Sequence, residues 1–346
     1  MFILACFFSS PFTSREPKTE NPLHANRAYA TIDESISQRI CAREEFMSLL
    51  VVGSVAFDSV ETPAESRENI LGGSAVFFSY AASFFTPVRL VGVVGEDWPV
   101  EHTRLLQERK IDTSGLKIEP DKQTFRWHGR YMPNMNDRET LEVQLNVFGE
   151  FDPVLPESYR DSDYVFLANG VPAVQLKVLE QVRAPKLVMA DTMDLWIREH
   201  RHALMEVLER INGLVLNDSE AILLTEDENL VRAGRKVLEM GPKFVVIKKG
   251  EHGAMFFSED ETYVLPAYPT EEVVDPTGAG DTFAGGMMGY ITEKGDFTPN
   301  SLKEAMAYGI LVASFAVEDF SLDRMRQIQR SDLDDRLADF KRMLTF

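Results

Sequence analysis

Val273-Val274-Asp275-Pro276-Thr277-Gly278-Ala279-Gly280-Asp281-Thr282-Phe283-Ala284-Gly285-Gly286 passes from a β-like run, through a turn of small residues, into an apolar helix. Pro276 ends the extended run, and Gly278 and Gly280 let the backbone turn sharply and come close to a ligand. The unpaired N–H groups at such a helix start, reinforced by the helix dipole, form an anion site. That arrangement suits a phosphoryl group whose charge shifts during transfer. Asp281 falls in the first turn, where a carboxylate can take the proton of an attacking hydroxyl. Aspartate is also a favoured cap residue. The flanking Gly-Ala-Gly and the second acid, Asp275, favour chemistry over capping. Gly285, Gly286 and Gly289 have a plainer use, letting the helix pack closely on the sheet.

Outward from this unit, short apolar runs alternate with helical patterns. Strands are expected at 49–55, 88–94, 164–168, 186–190, 213–217, 243–248 and 254–257. Helices are expected near 73–85, 99–110, 173–183, 194–210, 229–240, 281–293 and 301–317. Runs such as Phe244-Val245-Val246-Ile247 are apolar throughout, as in a parallel sheet covered on both faces. The alternation predicts an α/β fold with a doubly wound, mostly parallel sheet flanked by helices. Residues 116–148 break the rhythm: two β-rich segments, Thr124–Tyr131 and Thr140–Phe148, flank the turn-like Pro133-Asn134-Met135-Asn136-Asp137. They are read as a small β-sheet lid inserted in the domain. Residues 1–46 hold no sustained period, and Met47 directly precedes the first apolar run, Leu49-Leu50-Val51-Val52. Residues 1–46 are therefore expected to be a disordered arm or a misassigned start, with the folded domain at 47–346.

The chain has 346 residues, 44% hydrophobic, and a formal charge of −19. A surface this acidic repels phosphate backbones, which argues against a nucleic-acid partner while leaving room for a small anion in a local pocket. The two cysteines, Cys6 and Cys41, form no C-x-x-C pair, which fits a reducing cytoplasm. No apolar run reaches membrane-spanning length, so no membrane association is expected. No G-x-x-x-x-G-K-[ST] loop occurs, and no G-x-G-x-x-G follows the first strand. The six histidines form no H-E-x-x-H pattern.

Asp275-Pro276-Thr277-Gly278-Ala279-Gly280-Asp281 resembles the C-terminal signature of the ribokinase-like (PfkB) carbohydrate kinases, and the resemblance extends over nearly everything from Met47 onward. It implies that Asp281 is the catalytic base and that the amides of Gly278, Ala279 and Gly280 form the anion hole. Gly72-Gly73-Ser74-Ala75 is similar to the family's N-terminal glycine pair, and Asp58 matches a position that binds substrate hydroxyls. Asp275 is expected on the substrate side as well. Asn217-Asp218-Ser219-Glu220 resembles the family's N-x-x-E motif, which orders Mg²⁺ and phosphate and makes Glu220 the metal-side acid. By itself N-D-S-E is only a good helix start. Lys248-Lys249-Gly250-Glu251-His252-Gly253 looks like the loop that passes the nucleotide, with Lys248, Gly250 and Gly253 on the cofactor side. Lys248 is read either as steadying phosphates or as part of a solvated turn.

The chain departs from the family's pattern in three places. Ala307-Tyr308-Gly309-Ile310 would make adenine contacts mainly apolar, Val317-Glu318-Asp319-Phe320 argues against potassium activation, and Asp191-Thr192-Met193 replaces a commoner Asp-Pro-Asn. The resemblance implies an ATP-dependent phosphotransferase, using Mg²⁺, that acts on a hydroxyl of a small sugar. A nucleoside such as adenosine is the alternative acceptor, with Phe125, Trp127 and Tyr131 leaving room for a base. A non-catalytic sugar or nucleotide sensor is a third reading, disfavoured because the base and glycines are intact. Lids of this kind can pair between subunits, so a homodimer through the lid is a further expectation.

Overall fold

The computed structural model describes residues 47–345; the expectation for residues 1–46 lies outside them. A nine-stranded sheet carries the domain. Its strands are β1 (Leu49–Val52), β4 (Val88–Gly95), β5 (Ile111–Glu119), β8 (Tyr164–Leu167), β9 (Leu187–Asp191), β10 (Gly213–Asn217), β11 (Phe244–Lys248), β12 (Ala254–Ser258) and β13 (Thr262–Leu265). Their order is β13-β12-β11-β10-β9-β8-β1-β4-β5. Pairing is parallel from β5 to β11, and β12 and β13 continue antiparallel.

A second sheet, of four strands, contains β2 (Ala56–Glu61), β3 (Ser66–Gly72), β6 (Phe125–Tyr131) and β7 (Arg138–Gln144), ordered β3-β2-β6-β7. This redraws the expected insertion at 116–148. Half of the small sheet comes from 56–72, and residues 116–119 belong instead to β5 at the edge of the large sheet.

Helices cover the large sheet on both faces because successive side chains of its strands point to opposite sides. Leu49 and Val51 of β1 pack with α1 (Ser74–Ala82), α2 (Val100–Glu108), α8 (Ala279–Lys294), α9 (Pro299–Ala316) and α10 (Arg330–Met343). Leu50 and Val52 face a second core with α3 (Pro172–Gln181), α4 (Asp194–Glu199), α5 (Arg201–Leu208), α6 (Asp218–Thr225) and α7 (Leu230–Glu239). The expected helix at 194–210 is thus two helices, broken at His200. No helix among the described residues is long and apolar enough to cross a membrane.

Candidate active site

Three neighbouring parallel strands end in polar residues: Asp191 on β9, Asn217 on β10 and Lys248 on β11. The carboxyl ends of parallel strands are where open α/β sheets hold ligands. The quoted turn lies beside them. Gly278 stands in the left-handed region at φ 73° and precedes α8, and a Cβ there would come within 2.4 Å of the Phe77 ring. Only glycine serves at this position, for both reasons.

Asp275 does not face outward as a substrate ligand. Its carboxylate braces the turn, accepting the Thr277 N–H at 2.8 Å and the Ser321 N–H at 3.5 Å, and it is almost wholly buried. Among the three expected anion-hole amides, that of Ala279 is already engaged, donating to the Pro276 carbonyl at 3.1 Å to close the turn. Among the described residues, the amides of Gly278, Gly280 and Asp281 meet no backbone acceptor.

Asp281 sits in the first turn of α8 without acting as a side-chain cap. Burial pushes its carboxyl up to about 7, with Asp191 adding to the rise and Lys248 and Arg138 opposing it. Asp58, on β2, is pushed further, to about 8, by burial and then by Asp275, against an amide hydrogen bond from Gly73. A Cβ on Gly72 would stand 2.0 Å from Asp58 Oδ2, so the absence of a side chain there makes room for this carboxylate. Gly73 precedes α1 and completes that corner.

Asn217 and Glu220 form a reciprocal capping box at the start of α6: Glu220 N–H donates to Asn217 Oδ1 at 2.8 Å, and Asn217 N–H donates to Glu220 Oε2 at 2.7 Å. The Asn217 acceptor oxygen is therefore occupied. Burial and Asp191 raise the Glu220 carboxyl to about 7, against Lys248, the Asn217 amide and Arg138. Lys248 is not in a solvated turn: its ammonium is mostly buried and meets Asp191 Oδ2 at 3.0 Å. Gly250 and Gly253 shape the loop that follows, where Gly253 N–H donates to the Gly250 carbonyl at 3.1 Å.

The small sheet closes over these groups. Thr277 Oγ1 donates to the Tyr131 hydroxyl at 3.2 Å, and the hairpin-tip residue Asn136 stands 3.0 Å from where a Gly250 Cβ would be. Val60, Tyr131 and Phe320 form a small apolar cluster, with Trp127 and Val274 packed against it.

A family model described as "pfkB family carbohydrate kinase" matches residues 30–327. The chain belongs to the pfkB family of carbohydrate kinases. It is therefore an ATP-dependent phosphotransferase acting on a sugar or nucleoside hydroxyl. This pfkB kinase is 32% identical to a cytidine kinase of Thermococcus kodakarensis over 249 residues, 70% of this chain and 87% of the relative. Its fold matches the nucleoside kinase of Methanocaldococcus jannaschii with a TM-score of 0.69 at 20% identity, covering 85% of this chain and 99% of the other. It also matches the Burkholderia thailandensis nucleoside kinase solved with inosine, with a TM-score of 0.70 at 19% identity, covering 86% and 98%.

Arg138 escapes a sequence reading of this kinase, and the two earlier arginines of the small sheet are engaged elsewhere. Arg126 pairs with Asp97 at 2.7 Å, and Arg130 with Glu61 at 2.7 Å. Arg138 opens β7 opposite Tyr131, and its guanidinium lies 5.9 Å from the Trp127 ring centre. Its positive charge favours the ionised forms of Asp58, Glu220 and Asp281. Strand alternation does not find it, because the β6–β7 register shifts between His128 and Gly129 and breaks the period of two between Val143, opposite Trp127, and Arg138.

Proposed function

We propose that this kinase phosphorylates a primary hydroxyl of a nucleoside, with Asp281 as base and the amides of Gly278, Gly280 and Asp281 as the anion cradle. The observation that carries the chemistry is an aspartate raised toward neutrality in the first turn of α8, beside unengaged amides and the Lys248 ammonium. Asp281 takes the proton of the acceptor hydroxyl as that oxygen bonds to the terminal phosphorus of ATP. The bond from phosphorus to the bridging oxygen breaks, and its electron pair leaves with ADP. Asp58, framed by Gly72 and Gly73, accepts hydrogen bonds from sugar hydroxyls. The loop from Lys248 through Gly250 to Gly253 runs along the donor nucleotide. Closure of the small sheet keeps water from the reacting centre.

Mg²⁺ fits beside Glu220. One of that carboxylate's oxygens is committed to the capping box, and the other, with Asp191 acting on it, offers the hard oxygen donor that Mg²⁺ takes. When bound, the ion supplies neutralisation of the phosphate oxygens.

A nucleoside is favoured over a free sugar by Trp127. A Cβ on Gly129 would stand 2.1 Å from the Trp127 ring, so the indole lies flat along the small sheet as a platform for a base. Trp127 pairs in register with Asp58, so base and sugar contacts share one face of the sheet. The cytidine kinase and nucleoside kinase relatives support the same choice. β7 is an edge strand with Val143 exposed, which supports pairing of two lids in a homodimer; sedimentation of the full chain as a monomer would remove that idea. The same reading puts the enzyme in the cytoplasm, with its ATP supply, and fractionation of source cells checks this.

The test is ATP consumption with a panel of nucleosides and free pentoses, repeated with Asp281→Asn. Nucleosides are expected to give the highest kcat/KM, and the Asp281→Asn variant to lose several orders of magnitude in kcat with acceptor binding kept. Turnover of free sugars alone would overturn the nucleoside reading, and a mild loss in the variant would remove Asp281 as base.

A further inference from the structure

Lys248 ends β11 and Asp191 ends β9, with β10 between them. The lysine therefore crosses a whole strand to place its Nζ 3.0 Å from Asp191 Oδ2. The aspartate is held from behind. Its Oδ1 accepts the Thr192 N–H at 2.7 Å. Gln175 Nε2 donates to the Asp191 carbonyl at 3.1 Å, and to those of Ala168 and Leu167 at 3.2 and 3.3 Å. A buried side-chain amide spent on three carbonyls fixes the strand end that presents the carboxylate.

The other side of the ammonium faces the reaction. A Cβ on Gly280 would stand 2.9 Å from Lys248 Nζ, so the charge lies against the first turn of α8. A buried ion pair is weak evidence for stability, because apolar residues of like volume often serve as well. This pair is better explained by where it points.

We propose that Asp191 is a positioning residue for phosphoryl transfer: it holds the Lys248 ammonium beside the first turn of α8, so that the cation meets the oxygens of the transferred group. The inference rests on the kinase reading above and divides the labour within it. Lys248 touches the phosphoryl oxygens, Asp191 holds it in place, and Asp191 also adds directly to the rise of the Asp281 carboxyl. The ammonium keeps all its protons throughout, and the acceptor's proton goes to Asp281. Burial alone would lower the lysine's pKa, but Asp191, Glu220 and Asp281 outweigh it and keep the group charged.

The two partners also have opposite effects on the base. Asp281 faces Asp191 from β9, Lys248 from β11 and Arg138 from β7, and its charge is felt by Asp58 on β2. Glu220, at the start of α6, acts on the same lysine.

The experiment compares the full wild-type chain with Asp191→Asn, Lys248→Met and the double variant, using Mg-ATP and the best acceptor from the panel. Lys248→Met is expected to lower kcat on the order of 10²-fold, as for loss of one charge-stabilising donor, with acceptor KM changed little. Asp191→Asn is expected to lose roughly tenfold, and the double variant to be no slower than Lys248→Met. The acid limb of kcat/KM should move to lower pH in Asp191→Asn and to higher pH in Lys248→Met. Multiplying losses in the double variant, or acid limbs that stay put, would overturn the proposal. Should Asp191→Asn fail to fold, Lys248→Met decides alone: an unchanged kcat refutes it. A wild-type chain inactive toward every acceptor sinks the kinase reading itself, whereas an active enzyme indifferent to these variants sinks only this inference.

Discussion

Asp58→Asn should make the ligand-free enzyme more stable and a worse catalyst, and the first effect should grow with pH. Burial, with Asp275 and Asp281 behind it, holds the Asp58 carboxyl near 8 in the folded chain, against 3.8 for the free group. A folded pKa raised in this way contributes stability that is complete below pH 3.8 and is lost as pH climbs toward 8. Each pH unit in that window costs about 1.4 kcal/mol, which makes roughly 4 kcal/mol between pH 5 and pH 8. Asparagine keeps an oxygen for the Gly73 amide and cannot ionise, so the variant escapes the loss. At about 2–4 °C per kcal/mol, the variant's advantage in Tm should widen by roughly 10 °C over that window. Scanning calorimetry of both ligand-free proteins from pH 5 to 9 measures it, and parallel Tm curves would refute the reasoning. In the same variant an N–H₂ group takes the place of one carboxyl oxygen facing the sugar hydroxyls, which should raise acceptor KM by about 10- to 100-fold.

Two further substitutions probe the frame around the site. Gly278→Ala brings a Cβ against the Phe77 ring at a left-handed φ, and should cost about 2 kcal/mol or more in unfolding free energy together with most of kcat; denaturant titration and steady-state rates check both. Tyr131→Phe removes the hydroxyl that accepts from Thr277, worth about 1 kcal/mol, and should raise acceptor KM roughly fivefold while leaving kcat within a factor of two; a larger fall in kcat than rise in KM would show that the hydroxyl does more than hold the lid.

The large sheet can be read from the sequence because its strands are buried on both faces. β10 and β11 are apolar nearly end to end, and no surface pattern dilutes the signal. β2 and β3 escape that reading for the opposite reason. Ser66-Arg67-Glu68-Asn69 is exposed on the small sheet, and nothing in its composition separates it from a loop. β5 sits at a sheet edge with polar residues through its length, and is likewise hidden. At the site, the glycine turn and Asp281 are legible because chain neighbours make that geometry. Asp275 misleads as a substrate-facing acid, since only the fold brings the Ser321 amide to it from 46 residues away. Ala279 misleads because a local carbonyl captures its amide, a matter of turn geometry rather than residue type. Lys248 and Asp191 lie 57 positions apart, and a lone lysine after an apolar strand says nothing about which way it will reach.

The three polar residues on adjacent strand ends work like marks on a ruler. Their spacing follows the ~4.8 Å between neighbouring strands, set by backbone hydrogen bonds that the protein cannot stretch to suit a cargo. Tolerance for different molecules must then come from the small sheet, where Trp127 and Tyr131 sit on β6, a strand free of the large sheet's ladder. Selection for a new acceptor should accordingly redraw the cover and leave the ruler untouched.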